Sequence, residues 1–410
     1  MGNDRIVNVA VRENIFWVYI LFSIVLFFPN STQGALIYLP QIIVGMVALY
    51  AIIKSPILKP TWCFLCFALC MLALNLLVSM FQNSGGIVGI FKSSLRLYYP
   101  FIGLVIGGLL KKKISPKSFL SLLIFFLLTQ FIIGFLQVNS ESFRILTFSL
   151  YRPSKLDYYI MAFSWKTGRR IIGSVGNPNS LGMLMVIMNS SIILLSDFSK
   201  NKLLTNSICF GATLYTCLHT QSRTAILLFI ATTLLLYYWN LNTKGLAKIL
   251  CIYVFSLLVI ISFLYLKDLA NREISISALY SRYNIWVSHI TQLLNNEGYI
   301  NFPTILVGVG FAKAREFGAF DNIYVKYFVS GGVTGLSVFL ITGLQAIRFL
   351  RHNVHGYIWK RMGLAVIFLW LLGSIVAEYQ EMFKLSIITF ILLGYAMYPT
   401  RTFELKIRGA

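Results

Sequence analysis

SFLSLLIFFLLTQFIIGFL, residues 118–136, runs for 19 residues without a charge. At ~1.5 Å per residue, a helix of that length matches the ~30 Å hydrocarbon core of a bilayer. No water reaches backbone amides there, so a run of this kind folds as a helix. The same pattern recurs on both sides of it. Apolar runs near 14–29, 36–53, 61–81, 89–110, 118–136, 180–196, 203–220, 223–239, 246–266, 324–347, 362–378 and 383–399 predict an all-α polytopic membrane protein with about 12 transmembrane helices. Apolar residues form 58% of the 410, charged residues 12%, and mean hydropathy is +0.77, values no soluble domain of this size sustains at its surface. The first run, from Ile15, lacks a small-residue cleavage site and is read as a span rather than a signal peptide.

A formal charge of +22 raises nucleic acid as a partner, but such a module carries its charge on one face or stripe. Here the basic residues sit mostly in short connectors. Lys54 and Lys59, Lys111, Lys112, Lys113 and Lys117, Lys200 and Lys202, Lys244 and Lys248, and Arg348, Arg351, Lys360 and Arg361 all fall on one side if the spans alternate. Both termini join them, and the positive-inside rule makes that side cytoplasmic. The chain then divides into 1–136 with spans 1 to 5, an outer loop 137–179, 180–266 with spans 6 to 9, an outer loop 267–323, and 324–410 with spans 10 to 12. The two long outer loops break the charge rule. The first holds Arg144, Arg152, Lys155, Lys166, Arg169 and Arg170 against Glu141 and Asp157; the second holds Lys267, Arg272, Arg282, Lys313 and Arg315 against five acids. Cations kept on the translocated side serve something other than insertion. FSLYRPSKLDYYIMAFSW and SALYSRYNIWVSHITQLL within these loops carry the patterning of short helices.

RRIIGSVGNPNSLG, residues 169–182, joins two arginines to an Asn-Pro-Asn turn at the start of the sixth span. Asn179 or Ser180 is the expected N-cap, and the helix start would turn backbone N–H groups and its positive end outward. With Arg169, Arg170 and Asn177 beside it, that end suits a phosphate; the plain alternative is a capped helix with arginines at lipid headgroups. In TQSRTA, Arg223 opens the eighth span directly after a tight turn, with His219 one helical turn earlier as a base or a cap. Lys92 and Arg96 are four apart, hence on one face of the fourth span and near its outer half, and charges at that depth line a cavity or find a partner. Asp321, before Asn322 and Tyr324, either caps the tenth span or orients an arginine or acts as a base. Glu378 and Glu381 at the outer end of the eleventh span are read as ion-pair partners for the cations of that side. The six cysteines lie in apolar runs without His or acid at ligand spacing, so neither a metal site nor a disulfide framework follows, and no cofactor motif is present. Gly103-x-x-x-Gly107 and Gly331-x-x-x-Gly335 predict close helix packing.

Taken in order, R-x-x-G-x-x-x-N-P-N-x-x-G from Arg170 to Gly182, T-x-S-R-T-A from Thr220 to Ala225, Y-S-R-Y-x-x-W from Tyr280 to Trp286, G-x-G-F from Gly308 to Phe311 and D-N-x-Y from Asp321 resemble the superfamily of Wzy O-antigen polymerases and O-antigen ligases. The motifs span residues 169 to 335. The resemblance implies a GT-C-like architecture in the bacterial inner membrane and a metal-independent glycosyltransferase without cofactor, working at the periplasmic face on undecaprenyl-pyrophosphate-linked oligosaccharide. It implies that Arg170, Arg223 and Arg282 hold the donor pyrophosphate; Asp321, from its place beside a span start on the cation-rich side, is the fourth catalytic candidate. Arg169, Asn177, Asn179, Arg96, Lys92, Tyr324, Glu378 and His219 would then line the pyrophosphate and glycan site. Ligases carry a histidine, proposed as base, where this chain has Asp321, which favours polymerase and leaves the base unassigned. Implied partners are membrane lipid, a chain-length regulator and a flippase. Ligation of the finished chain to lipid A core is the nearest rival reading. Transport of a lipid-linked sugar is another, and predicts paired repeats and coupling carboxylates near the midplane.

Overall fold

A computed structural model describes residues 2–29, 38–54, 56–82, 94–151, 170–240, 283–291, 302–314, 320, 322–354, 356–375 and 382–399. The ninth predicted span at 246–266, and with it Lys92, Arg169, Arg282, Asp321, Glu378 and Glu381, lies outside these residues. The described chain is helical and contains no strand. Its longer helices are α1 (Gly2–Phe27), α2 (Leu39–Lys54), α3 (Lys59–Gln82), α4 (Tyr99–Lys113), α5 (Pro116–Asn139), α6 (Glu141–Tyr151), α7 (Pro178–Leu195), α8 (Lys202–Thr220) and α9 (Arg223–Asn240). Two short helices, α10 (Phe302–Val307) and α11 (Gly310–Ala314), precede α12 (Ile323–Asn353), α13 (Tyr357–Gly373) and α14 (Phe383–Met397). Among the described residues, four helices are long and apolar enough to cross a membrane: 59–78, 116–139, 178–198 and 323–353.

Helix α7 is the axis of the bundle. It packs against α5, α8, α9, α13 and α14, and every side chain it carries except Asn179 is buried. A helix apolar on all sides belongs in such a position, surrounded by protein rather than by lipid or water. Helices α4 and α14 form the closest pair: a Cβ on Gly103 would stand 2.6 Å from that of Phe390, and one on Gly107 would strike the Ile391 carbonyl. Small residues let the two backbones meet, as the glycine spacing predicts.

The ends of the helices sort into two groups. At one end Lys111 lies 2.8 Å from the Trp359 ring centroid, Phe198 stacks on the same ring, Tyr395 donates to Ile114 O, and Lys360 donates to Arg351 O. The described connectors around residues 111–117, 198–202 and 351–361 therefore share one end of the bundle. At the other end lie the close of α1, the segment before α7, the α8–α9 turn and the start of α14. There Tyr151 donates to Phe27 O, Ile171 N donates to His219 O, and Ser180 Oγ lies 2.6 Å from Met382 Sδ.

Two predicted spans have a different form. Within the described part of the predicted span at 89–110, a 3-10 turn, Leu95–Tyr98, leads into α4, and Pro100 occupies its first turn, where the missing N–H costs nothing. Arg96 consequently sits exposed on that turn, ahead of the helix rather than on its buried face.

The tenth span is broken. Gly332, with φ 63° and ψ −162°, interrupts α12. Tyr324 and Phe339 would be ~22 Å apart on a straight helix, yet their ring centroids are 5.4 Å apart, and those of Tyr327 and Phe339 are 5.0 Å apart. Residues 323–331 therefore fold back on the rest, and the unbroken part, 333–353, still reaches ~30 Å. The break is filled by backbone. Val309 N donates to Val329 O at 2.9 Å, and Gly308, with φ 73°, leaves no room for a Cβ against Ser330 and Gly331. From α3, Asn75 accepts the Phe311 N–H and donates to Met71 O, while Met71 lies under Gly331 and Gly335.

Candidate anion-binding site

The segment entering α7 is built by tight local chemistry. Asn177 is the N-cap, with its Oδ1 accepting from Asn179 N at 2.9 Å and Ser180 N at 3.2 Å, and Pro178 follows as the first helical residue. The expected caps, Asn179 and Ser180, are one turn too late because proline fixes the helix start at 178. Leu181 N bonds to Asn177 O. The Asn-Pro-Asn turn thus satisfies its own N–H groups, and what it offers an anion is the positive end of the helix rather than free amide donors.

Arg170 is held beside this cap. Its Nε donates to Thr220 O at 2.8 Å and its Nη2 lies 3.4 Å from Asn179 Oδ1, while the next residue, Ile171, bonds through its N–H to His219 O at 3.1 Å. The guanidinium therefore bridges the end of α8 and the start of α7. His219 contributes its carbonyl to this anchor, and its imidazole packs on Tyr215 with centroids 4.3 Å apart.

Directly after Thr220 the chain turns through Gln221, whose φ of 52° is the one positive value at a non-glycine residue described. Such a conformation is strained and persists because its neighbours fix it. Ser222 N bonds to Thr220 Oγ1 at 3.3 Å, and Ser222 Oγ caps α9 by accepting from Ala225 N at 3.4 Å. Arg223 is the first residue of α9 and half-buried; no described residue pairs with its guanidinium or accepts from its N–H or that of Thr224. The starts of α7 and α9 touch at Gly182 and Ala225, so two helix N-termini stand side by side at the same end of the bundle. Both helix starts repel cations; for Arg170 the carbonyl of Thr220 at the close of α8 and Asn179 Oδ1 offset that repulsion, whereas no described residue offsets it for Arg223.

Sequence reasoning overlooked the side chains that hold the loop in front of α7. Gln137 Oε1 accepts from Ile172 N at 3.0 Å and Gly173 N at 3.1 Å, and its Nε2 donates to Thr147 Oγ1. One turn pair earlier on α5, Gln130 accepts from Ser174 N at 3.2 Å and donates to Ser174 Oγ at 2.6 Å. Between them Gly134 makes room for Ile171. The legible signal was the spacing: two amides and a glycine on one stripe of an otherwise apolar helix, with buried amides requiring partners.

Of the other predicted site residues, Asn177 and Asn179 spend their side chains on the cap and on Arg170. Tyr324 does not join this cluster: its hydroxyl donates to Leu371 O at 2.9 Å and its ring meets Phe339. Next to it, Asn322 caps α12 through Tyr324 N and Val325 N. The capping role open to Asp321 thus belongs to its neighbour. Among the described residues no cluster of His, Cys, Asp or Glu is arranged to hold a metal ion. No protein-family model matches the chain, and no curated protein is significantly similar to it.

Proposed function

We propose that this chain is a surface-polysaccharide polymerase of the Wzy type, transferring a growing glycan from undecaprenyl pyrophosphate onto an incoming lipid-linked repeat unit. The observation that carries the reading is the placement of Arg170 and Arg223 at two adjoining helix N-termini. In the transfer, the acceptor hydroxyl attacks the anomeric carbon, the bond from that carbon to the pyrophosphate oxygen breaks, and charge gathers on the departing diphosphate. Fixed guanidinium groups and helix ends stabilise that charge without reorganising. The amides of Arg223 and Thr224 add free donors at the same place.

The resemblance adds Arg282 as a third cation; it leaves the acceptor's base unassigned, with Asp321 and His219 at the Arg170 anchor as the two candidates. In this reading the lysine- and arginine-rich end of the bundle is cytoplasmic, both termini lie there, about twelve spans cross the inner membrane, and the anion site is periplasmic. Ligation to lipid A core shares the donor chemistry and differs in the acceptor. Transport finds one supporting feature, the broken α12, since broken helices line ion sites in transporters. Here Gly308 and its neighbours fill the break, which supports an enzyme's rigid scaffold instead.

The test is incubation of purified protein with a lipid-linked repeat unit, alone and with a core acceptor, followed by gel separation. A ladder of products from the repeat unit alone is the expected result. Products formed only with the core acceptor would turn the reading to ligase, and no transfer in either arm would overturn it.

A further inference from the structure

Lys384 stands where neither membrane insertion nor helix stability explains a cation. It is the second residue of α14, at the helix end whose dipole repels positive charge. At 7% exposed it does not snorkel to water. Its ammonium instead donates to Ser174 O at 2.7 Å and Phe28 O at 2.9 Å and lies 4.6 Å from the Tyr151 ring centroid. Three segments remote in sequence therefore converge on one nitrogen: the residue after α1, the loop before α7 and the last residue of α6. Tyr151 closes the arrangement by donating to Phe27 O at 2.9 Å.

Ser174 is the point where this lysine meets the glutamines of α5. Gln130 takes its N–H and hydroxyl, Gln137 takes the two preceding N–H groups, and Lys384 takes its carbonyl. A shift of the loop at Gly173 or Ser174 breaks buried hydrogen bonds to α5 or α14. That loop is the only covalent link between Arg170 and the cap of α7.

We propose that Lys384 is a positioning residue for the anion site, locking the 173–176 loop so that Arg170 and the start of α7 face the bound anion in one fixed geometry. The proposal rests on the polymerase reading only in naming that anion as a polyprenyl pyrophosphate. The physical basis is that catalysis by fixed charges depends on placement, and a misplacement of ~1 Å costs about a hundredfold. A neutral apolar side chain of equal length would leave two buried carbonyls without donors and release the loop.

The test compares the full-length protein in detergent with its Lys384→Met and Lys384→Arg variants. Amide hydrogen exchange is read at residues 172–174 and affinity for undecaprenyl pyrophosphate is measured alongside the thermal midpoint. Lys384→Met should speed exchange at those amides and weaken pyrophosphate binding, each about tenfold for a local opening, while exchange inside α7 stays unchanged. Lys384→Arg should recover part of both. Should Lys384→Met fail to accumulate, Lys384→Leu, which likewise removes the donor from both carbonyls, is read in the same way. Unchanged loop exchange, or faster exchange with unchanged affinity in the folded protein, overturns the proposal. A lowered midpoint with intact affinity does the same, because a merely structural lysine behaves so. If the loop responds but the parent protein binds no pyrophosphate, the polymerase reading falls and takes the named ligand with it, leaving the lock itself established.

Discussion

Gly182 faces Ala225 so closely that a methyl group on Gly182 would stand 2.6 Å from the Ala225 Cβ and 3.2 Å from Thr220 Oγ1. This contact sets the separation of the two helix starts on which the anion site is built. Gly182→Ala should therefore force α7 and α9 apart, costing about 1–3 kcal/mol as overpacking does and reducing product formation. Ala225→Gly in the same chain should restore both. The measurements are the thermal midpoint in detergent and the product ladder, and a double variant no better than Gly182→Ala alone would show that this contact is not what fixes the site.

Arg223 and Arg170 should respond differently to truncation. Arg223 has no described partner, so Arg223→Ala should leave the thermal midpoint near that of the parent while lowering turnover by about 10²–10³, the range for loss of one donor to developing charge. Arg170→Ala also frees Thr220 O from its donor and should lose about 0.5–1.5 kcal/mol of stability besides activity. Near-normal chain length in both variants would remove these residues from the site.

Asn322 supplies the cap of α12, which turns Asp321 into a clean probe of chemistry. Asp321→Ala should leave the protein level intact while polymer formation collapses. Full activity would leave His219→Ala as the next variant to assay for the base.

Gln137→Leu removes the acceptor shared by two buried N–H groups, those of Ile172 and Gly173. Each orphaned group costs about 1–3 kcal/mol, so the thermal midpoint should fall markedly. Gln137→Glu, which keeps the acceptor, tests whether the amide's donation to Thr147 matters as much; a midpoint equal to that of Gln137→Leu would say that it does.

Gly332→Ala combines a positive φ with a Cβ placed against the Leu306 carbonyl group, and Gly308→Ala does the same against Ser330 and Gly331. Strain of about 1–3 kcal/mol from the backbone alone comes on top of contacts that only backbone movement relieves. Both variants should accumulate poorly, read as yield of folded protein from membranes. Gly45→Ala, with open space around it, is the control expected to accumulate normally.

The helical, membrane-compatible character of the chain was determined by the sequence alone, because the length and apolarity of a run such as 118–136 fix a helix without reference to any neighbour. The Asn-Pro-Asn start and the tight turn before Arg223 were legible for the same reason: capping and turn formation act within a few residues. The tertiary structure alone decided the rest. That α12 folds back at Gly332 depends on the backbone of residues 305–309 filling the gap, and the residues around that glycine read as an uninterrupted apolar helix. Arg96 lies exposed because the chain takes a 3-10 turn there, in which the N–H of Tyr99, just before Pro100, bonds to the Arg96 carbonyl. Gln130, Gln137 and Lys384 acquire their meaning from Ser174 and its neighbours, between 35 and 210 positions away. A buried polar side chain announces that it needs a partner; which partner it meets is settled only when packing brings distant segments within hydrogen-bonding reach.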